Sequence, residues 1–234
     1  MNGPQRILVA GVNGGIGGAC ATAVTTAGHR VHGVDADSID ITLPGGAEAA
    51  VEAAQEAFGG LDGVVHAIGM SGRRLGDSTV PECSDEAWAE VHRVNHESVF
   101  RLLRASIPAL AESGGGSIVV IGSALATSLD RDFRTAAYAS AKGALVPLVR
   151  SAAYDAAAAN VRVNLVAAGL VDTPMARRAL ESAEISARLG ELMPLGRRAC
   201  SPEEIADAVM WLLSPASRRT TGAVIPVDGG WHLR

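Results

Sequence analysis

The sequence predicts an α/β fold: one domain, residues 1–234, holding a doubly wound parallel sheet of seven strands with helices on both faces. Three observations carry this. Short apolar runs alternate along the chain with longer helix-like segments, the order that builds parallel strand–helix–strand units. The first such run, residues 7–10, leads at once into a Gly-rich turn, residues 11–18, and then into a helix-like stretch. Apolar residues make up 48% of the chain but aromatics only 3%, so Ala, Val and Gly do the packing, which fits close helix-on-sheet contact.

Residues 7–10 read as a buried strand and residues 19–27 as helix. The glycines between them permit a tight turn and let the backbone approach a pyrophosphate, at which the free N–H groups and positive dipole end of the helix are aimed. A second strand, residues 31–34, ends at Asp35, about 20 residues beyond the turn. A carboxylate there accepts hydrogen bonds from the adenosine ribose and repels a 2′-phosphate. Position 14 is Gly and position 36 is Ala, so no cation compensates, and NAD is favoured over NADP. Residues 38–41 follow too soon for a helix to intervene and read as a third strand on a truncated crossover. Residues 47–58 form a helix stopped by Gly59-Gly60, and residues 61–68 a strand with Asp62 at its start.

Residues 84–110 read as one long helix with Ser84 as N-cap. Asn95 sits in its middle among apolar neighbours, and a poor helix former there marks a kink or a water site. Residues 117–122 are a strand with Ser123 at its carboxyl end, where ligand sites of such sheets collect. Residues 135–159 read as an Ala-rich helix that places Tyr138 and Lys142, four apart, on one face. A cation fixed beside a phenol favours the phenolate. Base chemistry near neutral pH requires bringing a Tyr pKa of ~10 down to about 7, roughly 4 kcal/mol. After a strand at residues 161–166, residues 175–193 are amphipathic and bounded by Pro174 and Pro194, within a flexible substrate flap spanning about residues 175–200. Ser201-Pro202-Glu203-Glu204 opens a last helix with Ser as N-cap and Pro at its first position. Trp211 and Leu212 are placed on its apolar side, and residues 223–227 are the closing strand.

A net charge of −5 and the absence of a basic run disfavour nucleic acid and anionic membrane as partners. The three cysteines, Cys20, Cys83 and Cys200, are scattered without a zinc-ligand pattern, so no metal site is expected and the thiols read as reduced. No leader-like segment and no apolar run of spanning length is found, and the expectation is a cytoplasmic protein.

Taken together, Gly11-x-x-x-Gly15-Ile16-Gly17, Asp62, Asn95, Ser123, Tyr138-x-x-x-Lys142, residues 169–173 and Val227-Asp228-Gly229-Gly230 occur in order and in the right strand or helix context. Over nearly its whole length the chain thereby resembles a short-chain dehydrogenase/reductase of the standard-length NAD type. The resemblance implies a Rossmann-like fold and hydride transfer between NAD(H) and a secondary alcohol or ketone. It implies Tyr138 as the acid/base, Ser123 orienting the reacting oxygen, and Lys142 lowering the Tyr138 pKa and binding the nicotinamide ribose. Asn95 would hold a water that links Lys142 to solvent. For the cofactor, Gly11, Asn13, Gly15, Ile16 and Gly17 would line the pyrophosphate, Asp35 the ribose, and Asp40 and Ile41 the adenine. Ala67, Gly69, Tyr138, Lys142, Gly169, Val171 and Thr173 would complete that site, with Val171 and Thr173 on the carboxamide. A homotetramer, or a homodimer, is implied, with the 82–110 and 135–159 helices packing across one interface.

Departures from the family pattern are Ala10 where Thr is usual, His66-Ala67-Ile68-Gly69 where Asn-Asn-Ala-Gly is usual, and Ala168 before Gly169 where Pro is usual. His66 is expected to be structural. The missing helix after the second strand resembles the shortened subgroup that includes bacterial 3α-hydroxysteroid dehydrogenases. Two other readings are an NADPH-linked carrier-protein reductase, opposed by Asp35, and an idle NAD-binding subunit, opposed by the complete Asn95, Ser123, Tyr138 and Lys142 set. Enoyl reductases of the superfamily share a His at the position of His66 but space Tyr and Lys more widely, so an alcohol or ketone reaction is preferred. The loop at residues 125–134 and the flap would form a largely apolar pocket from Leu125, Leu129, Phe133, Leu180, Leu189 and Met193.

Overall fold

The computed structural model describes residues 3–234. Its centre is a parallel sheet of six strands: β1 (Arg6–Ala10), β2 (Arg30–Val34), β3 (Gly63–His66), β4 (Gly116–Ser123), β5 (Val161–Ala168) and β6 (Val224–Val227). Their spatial order is β2-β1-β3-β4-β5-β6. Strand order therefore reverses between β1 and β3, where Ala10 lies opposite Val34 on one side and His66 on the other. A crevice outside the carboxyl ends of the strands is the expected consequence of such a reversal.

Side chains alternate across the sheet, and each face is covered. On one face Leu8, Val64, Val120 and Leu165 pack with α2 (Gly46–Phe58), α4 (Ser98–Glu112) and α6 (Leu145–Ala156). On the other, Ile7, Val9, Val119 and Val166 pack with α1 (Gly15–Thr26) and α9 (Pro202–Leu213). The inner strands β1, β3, β4 and β5 are buried on both faces, and this is why they read in the sequence as largely apolar runs, whereas the edge strands β2 and β6 stay partly exposed. The remaining helices are α3 (Asp85–His92), α5 (Ala136–Gly143), α7 (Arg177–Leu180) and α8 (Ala183–Leu192). No helix among the described residues is long and apolar enough to cross a membrane.

Four expectations are corrected. Residues 38–41 are turns, which removes the seventh strand: Ser38 N–H and Ile39 N–H both bond the Asp35 carbonyl, and Leu43 N–H bonds that of Asp40. With only three residues between β2 and this segment, the chain turns down into α2 instead of crossing back to the sheet. The 84–110 helix divides into α3, a π-helical turn at Arg93–Glu97, and α4. The 135–159 helix likewise divides at Ala144 into α5 and α6. Trp211 is 41% exposed while Leu212 is fully buried. The buried stripe of α9 is Ile205, Val209 and Leu212, and Trp211 lies just over half a turn from Val209.

Two caps form as the sequence predicts. The Ser84 hydroxyl accepts from Ala87 N–H at the start of α3, and Ser201 and Glu204 close a reciprocal capping box at the start of α9.

Candidate active site

The Gly-rich turn joins β1 to α1 at the sheet's reversal point. Gly11 has φ +88°, and a Cβ there would sit 2.9 Å from the Ala67 backbone across the crevice, so only Gly fits. A Cβ on Gly17 would run into the Gly11 carbonyl oxygen, so the α1 N-terminus packs directly on the turn. No side chain caps that N-terminus, and its first turn carries no acidic residue. The free N–H groups and the positive helix end are thus open to an anion. Thr173 lies against Gly15, and Asp35 stands at the end of β2. Its carboxylate accepts from Asn13 N–H at 2.9 Å and Ala36 N–H at 2.8 Å. Asp37 accepts from the Asn13 side-chain amide at 3.2 Å, which puts a second carboxylate beside the first. These residues fit a dinucleotide: a bare helix end for the pyrophosphate, a backbone without Cβ atoms, and acceptors for ribose hydroxyls. Neither carboxylate has an ion-pair partner among the described residues.

Asp40 and Ile41 turn away from this surface. The Asp40 carboxylate is taken by Thr42 N–H and Oγ1 at 2.9 and 2.7 Å, and the Ile41 side chain is fully buried in the core under α2.

Beyond the turn the crevice opens into a cavity of about 1020 Å³. Ile16, Ala67, Gly69, Gly169, Val171 and Thr173 line it at the turn side. Ser123, Tyr138 and Lys142 line it as well, so the three residues nominated from sequence converge on one space. Two elements hold them, β4 and α5. Ser123 ends β4, and its hydroxyl accepts from Leu125 N–H at 3.2 Å. Tyr138 sits in the first turn of α5. Lys142, one turn later and 3% exposed, donates to the Ile121 carbonyl of β4 at 3.0 Å. That bond fixes the helix face to the strand that carries Ser123.

The electrostatics differ from the sequence expectation. Burial pushes the Tyr138 phenol up, and the facing Ser123 hydroxyl pulls it partly back. The Lys142 ammonium is not among the causes: it is spent on the Ile121 carbonyl and lies 5.9 Å from the phenol ring centre. Burial brings Lys142 itself down to about 8. In the cofactor-free chain, then, desolvation dominates both groups and the phenol is protonated at neutral pH.

Asn95 is fully buried inside the π-helical turn. Its amide donates to the Val91 carbonyl, which the wider turn has released, and to the Met70 carbonyl, both at 3.0 Å. Its oxygen accepts from Met70 N–H at 3.1 Å. A Cβ on Gly69 would stand 3.1 Å from the Asn95 oxygen and 3.5 Å from the Lys142 Nζ, so the two side chains meet over Gly69. His66, at the end of β3, is fully buried. Ser98 Oγ donates to the Val94 carbonyl at 2.6 Å and so accepts from His66 Nε2 at 2.9 Å. This assigns the Nε2–H tautomer and leaves His66 Nδ1 a buried acceptor without a partner among the described residues. Burial, and then the Lys142 charge, bring the imidazole down to about 3, so it stays neutral.

Some residues of the site were missed in the sequence. Asp77, 3% exposed in the loop before α3, accepts from Ala137 N–H at 2.9 Å and Tyr138 N–H at 3.1 Å. It caps α5 from sixty residues away, while the adjacent Thr135 makes no capping bond. Trp231 donates to the Ser128 carbonyl at 3.0 Å, packs edge-on to Phe133, and closes the far wall. Of the six apolar lining residues expected, Leu125 and Phe133 line the cavity. Leu129 is 73% exposed, Leu180 lines a smaller neighbouring hollow, and Met193 is buried in the core with Leu189 against it. Arg73, Arg74, Arg177 and Arg178 line the cavity instead. The flap is tied down by Arg188 of α8, which ion-pairs Asp130 at 2.8 Å and also Asp132 in the 125–134 loop.

The site is the type that hydride-transferring oxidoreductases build at a sheet's reversal point, and comparison with known proteins gives the family. A family model described as enoyl-(acyl carrier protein) reductase matches residues 33–232. The 3-oxoacyl-[acyl-carrier-protein] reductase FabG of Vibrio cholerae is 30% identical over 97% of this chain and 96% of its own. The 2-(S)-hydroxypropyl-CoM dehydrogenase 3 of Xanthobacter autotrophicus is 33% identical over 97% and 96%. The solved structure of the TT0495 protein from Thermus thermophilus superposes with a TM-score of 0.90, at 29% identity and full coverage of both chains. The chain belongs to the short-chain dehydrogenase/reductase family and is an oxidoreductase of that type.

Proposed function

We propose that the protein moves a hydride between NAD(H) and a small secondary alcohol or ketone. The convergence of Ser123, Tyr138 and Lys142 on one cavity, at the mouth of an uncapped Gly-turn helix end, carries this reading. When bound, the nicotinamide supplies or accepts the hydride. The protein does the rest. The Tyr138 phenol donates its proton to a ketone oxygen during reduction and takes it back from the alcohol during oxidation. Ser123 hydrogen-bonds that oxygen and orients it. Lys142, anchored on the Ile121 carbonyl, supplies positive charge beside the phenol and a donor for the nicotinamide ribose. Asn95 holds the Met70 backbone and the π-helical turn in place beside Lys142 and supports the water link to solvent.

The pair Asp35 and Asp37 supports NAD over NADP. A carrier-protein reductase is the second reading, and the likeness to FabG favours it; the two carboxylates argue against an NADPH-linked form. Exposed Trp88, Phe100 and Tyr154 on α3, α4 and α6 support association through those helices into a homotetramer. The test is a panel of secondary alcohols and ketones assayed with NAD(H) and NADP(H) by nicotinamide absorbance, with size-exclusion chromatography for assembly. Turnover with NAD that is lost in Tyr138→Phe supports the reading. Preference for NADP overturns the cofactor assignment, and a monomer overturns the tetramer.

A further inference from the structure

The charged lining of the cavity is one-sided. Arg73 and Arg74 stand on the short helical turn Gly72–Leu75, and Arg177 and Arg178 open α7 on the opposite wall. None of the four has an ion-pair partner among the described residues, whereas Arg188 and Arg198 nearby each engage carboxylates. Arg73 is half-buried, and its one hydrogen bond is from Nη2 to the Asp132 carbonyl at 3.3 Å. Burial lowers its pKa, and Arg178 lowers it further, so the two cations feel each other across the cavity. Asp77 partly offsets this, but its carboxylate is already committed to the first turn of α5. Glu181 is the one carboxylate in the lining, against four guanidinium groups and Lys142. The chain as a whole carries −5, so the positive cavity is not a background property.

Like charges held close together in a partly desolvated cleft raise the free energy of the empty state, and an oxyanion between them removes that penalty. Guanidinium groups match carboxylate, phosphate and sulfonate geometry with paired N–H donors. A cleft of one sign also concentrates ligands of the other.

We propose that the substrate is an anionic secondary alcohol or ketone, whose oxyanion is gripped between Arg73 and Arg178 while its carbinol carbon lies at Ser123 and Tyr138. This rests on the hydride-transfer reading of the cavity. Arg74 and Arg177 add positive charge to the same lining and steer the anion inward. The substrate's anionic end therefore lies between the 69–77 loop and the flap, and the apolar wall of Met70, Leu125 and Phe133 covers the chain in between.

The experiment compares matched compounds: a series of ω-carboxylated and ω-phosphonylated secondary alcohols of increasing length, and the methyl esters of the same acids. Each is measured for kcat/KM with NAD and, separately, for binding to the protein by calorimetry. The free anions are expected to outperform their esters by tenfold to a hundredfold, with the preference falling as salt rises. Arg73→Ala and Arg178→Glu should collapse that preference at least tenfold, with the NADH Kd moving less than twofold. Arg178 is exposed and its replacement leaves the core intact.

Esters that match their acids overturn the inference while leaving the oxidoreductase reading in place. An NADH Kd that weakens more than the acid's KM also overturns it, because the arginines then serve the cofactor's diphosphate. Anions that bind through Arg73 and Arg178 without turnover of any alcohol support the anion site and overturn the reading of the reaction.

Discussion

The turn at residues 11–17 and the wall at residues 69–77 stand on either side of one cleft, yet they are assembled differently. The turn is a single stretch of chain, and its shape is set locally: a positive φ at Gly11, a missing Cβ at Gly17, and a helix end left bare. The wall opposite is made with pieces of the 125–134 loop, the flap and the C-terminal Trp231, joined by contacts such as Arg73 to the Asp132 carbonyl and Trp231 to that of Ser128. The comparison suggests a division of labour. A part common to many substrates is encoded locally, and the part that selects one substrate is encoded by segments that can vary independently.

The largest effect should come where the two sides meet. Tyr138→Phe removes the proposed proton donor but keeps the ring, and kcat is expected to fall by about 10²–10⁴-fold with the NADH Kd nearly unchanged. A parallel loss of cofactor affinity would mean that the phenol belongs to the cofactor side of the cleft alone.

Lys142 sharpens the comparison from the stability side. Burial takes it from the ordinary 10.5 to about 8, a penalty of roughly 3 kcal/mol on the cofactor-free fold below pH 8. Because the folded pKa is the lower one, the unfolded chain binds the extra proton between about pH 8 and 10.5, and the penalty fades as pH rises through that window. Lys142→Met should therefore raise the thermal midpoint of the cofactor-free protein at pH 7, with a smaller gain at pH 9, while turnover is lost. A lower midpoint at both values would show that the bond to the Ile121 carbonyl outweighs the desolvation of the charge.

Asp35→Ala addresses the local side alone. Removing the carboxylate proposed to face the 2′ position should shift the kcat/KM ratio of NADP to NAD upward by about tenfold, roughly 1.4 kcal/mol. The gain is limited because Asp37 stays nearby, held on the Asn13 amide. If the ratio stays put, the ribose is not read at β2.

The sequence makes the local side visible because its cause and its effect lie within a few residues. The Gly spacing, Asp35, the Ser201 capping box and the Tyr138-Lys142 pair each state their geometry in a short window. The buried strands show for the same reason, since burial on both faces leaves an unbroken apolar run. What the sequence hides depends on a partner far along the chain. Residues 38–41 have strand composition, and only the shortness of the link from β2 makes them turns. Asn95 signals a break in its helix, but nothing local says that the break is π-helical or that the amide holds Met70. Composition points to apolar residues for the pocket, yet Leu189 and Met193 pack in the core and four arginines line the cavity wall.

Asp77 is the sharpest case of the hidden kind, and it gives the smallest predicted effect. It sits in a Gly76-Asp77-Ser78 loop that reads as an ordinary turn, yet its two oxygens take the N–H groups of Ala137 and Tyr138. A negative charge at a helix N-terminus is favourable, and these bonds fix the height of the α5 first turn against the cavity. Asp77→Asn keeps one acceptor and loses the charge, and a cost of about 1 kcal/mol in stability is expected. A role confined to stability would lower the thermal midpoint and leave kcat alone. A role in placing the phenol would also lower kcat severalfold and move the alkaline limb of the kcat–pH profile, with the substrate KM little changed and with Asp77→Glu restoring part of both. The second pattern would join the distant wall to the local chemistry through one carboxylate; the first would leave the two sides of the cleft mechanically separate.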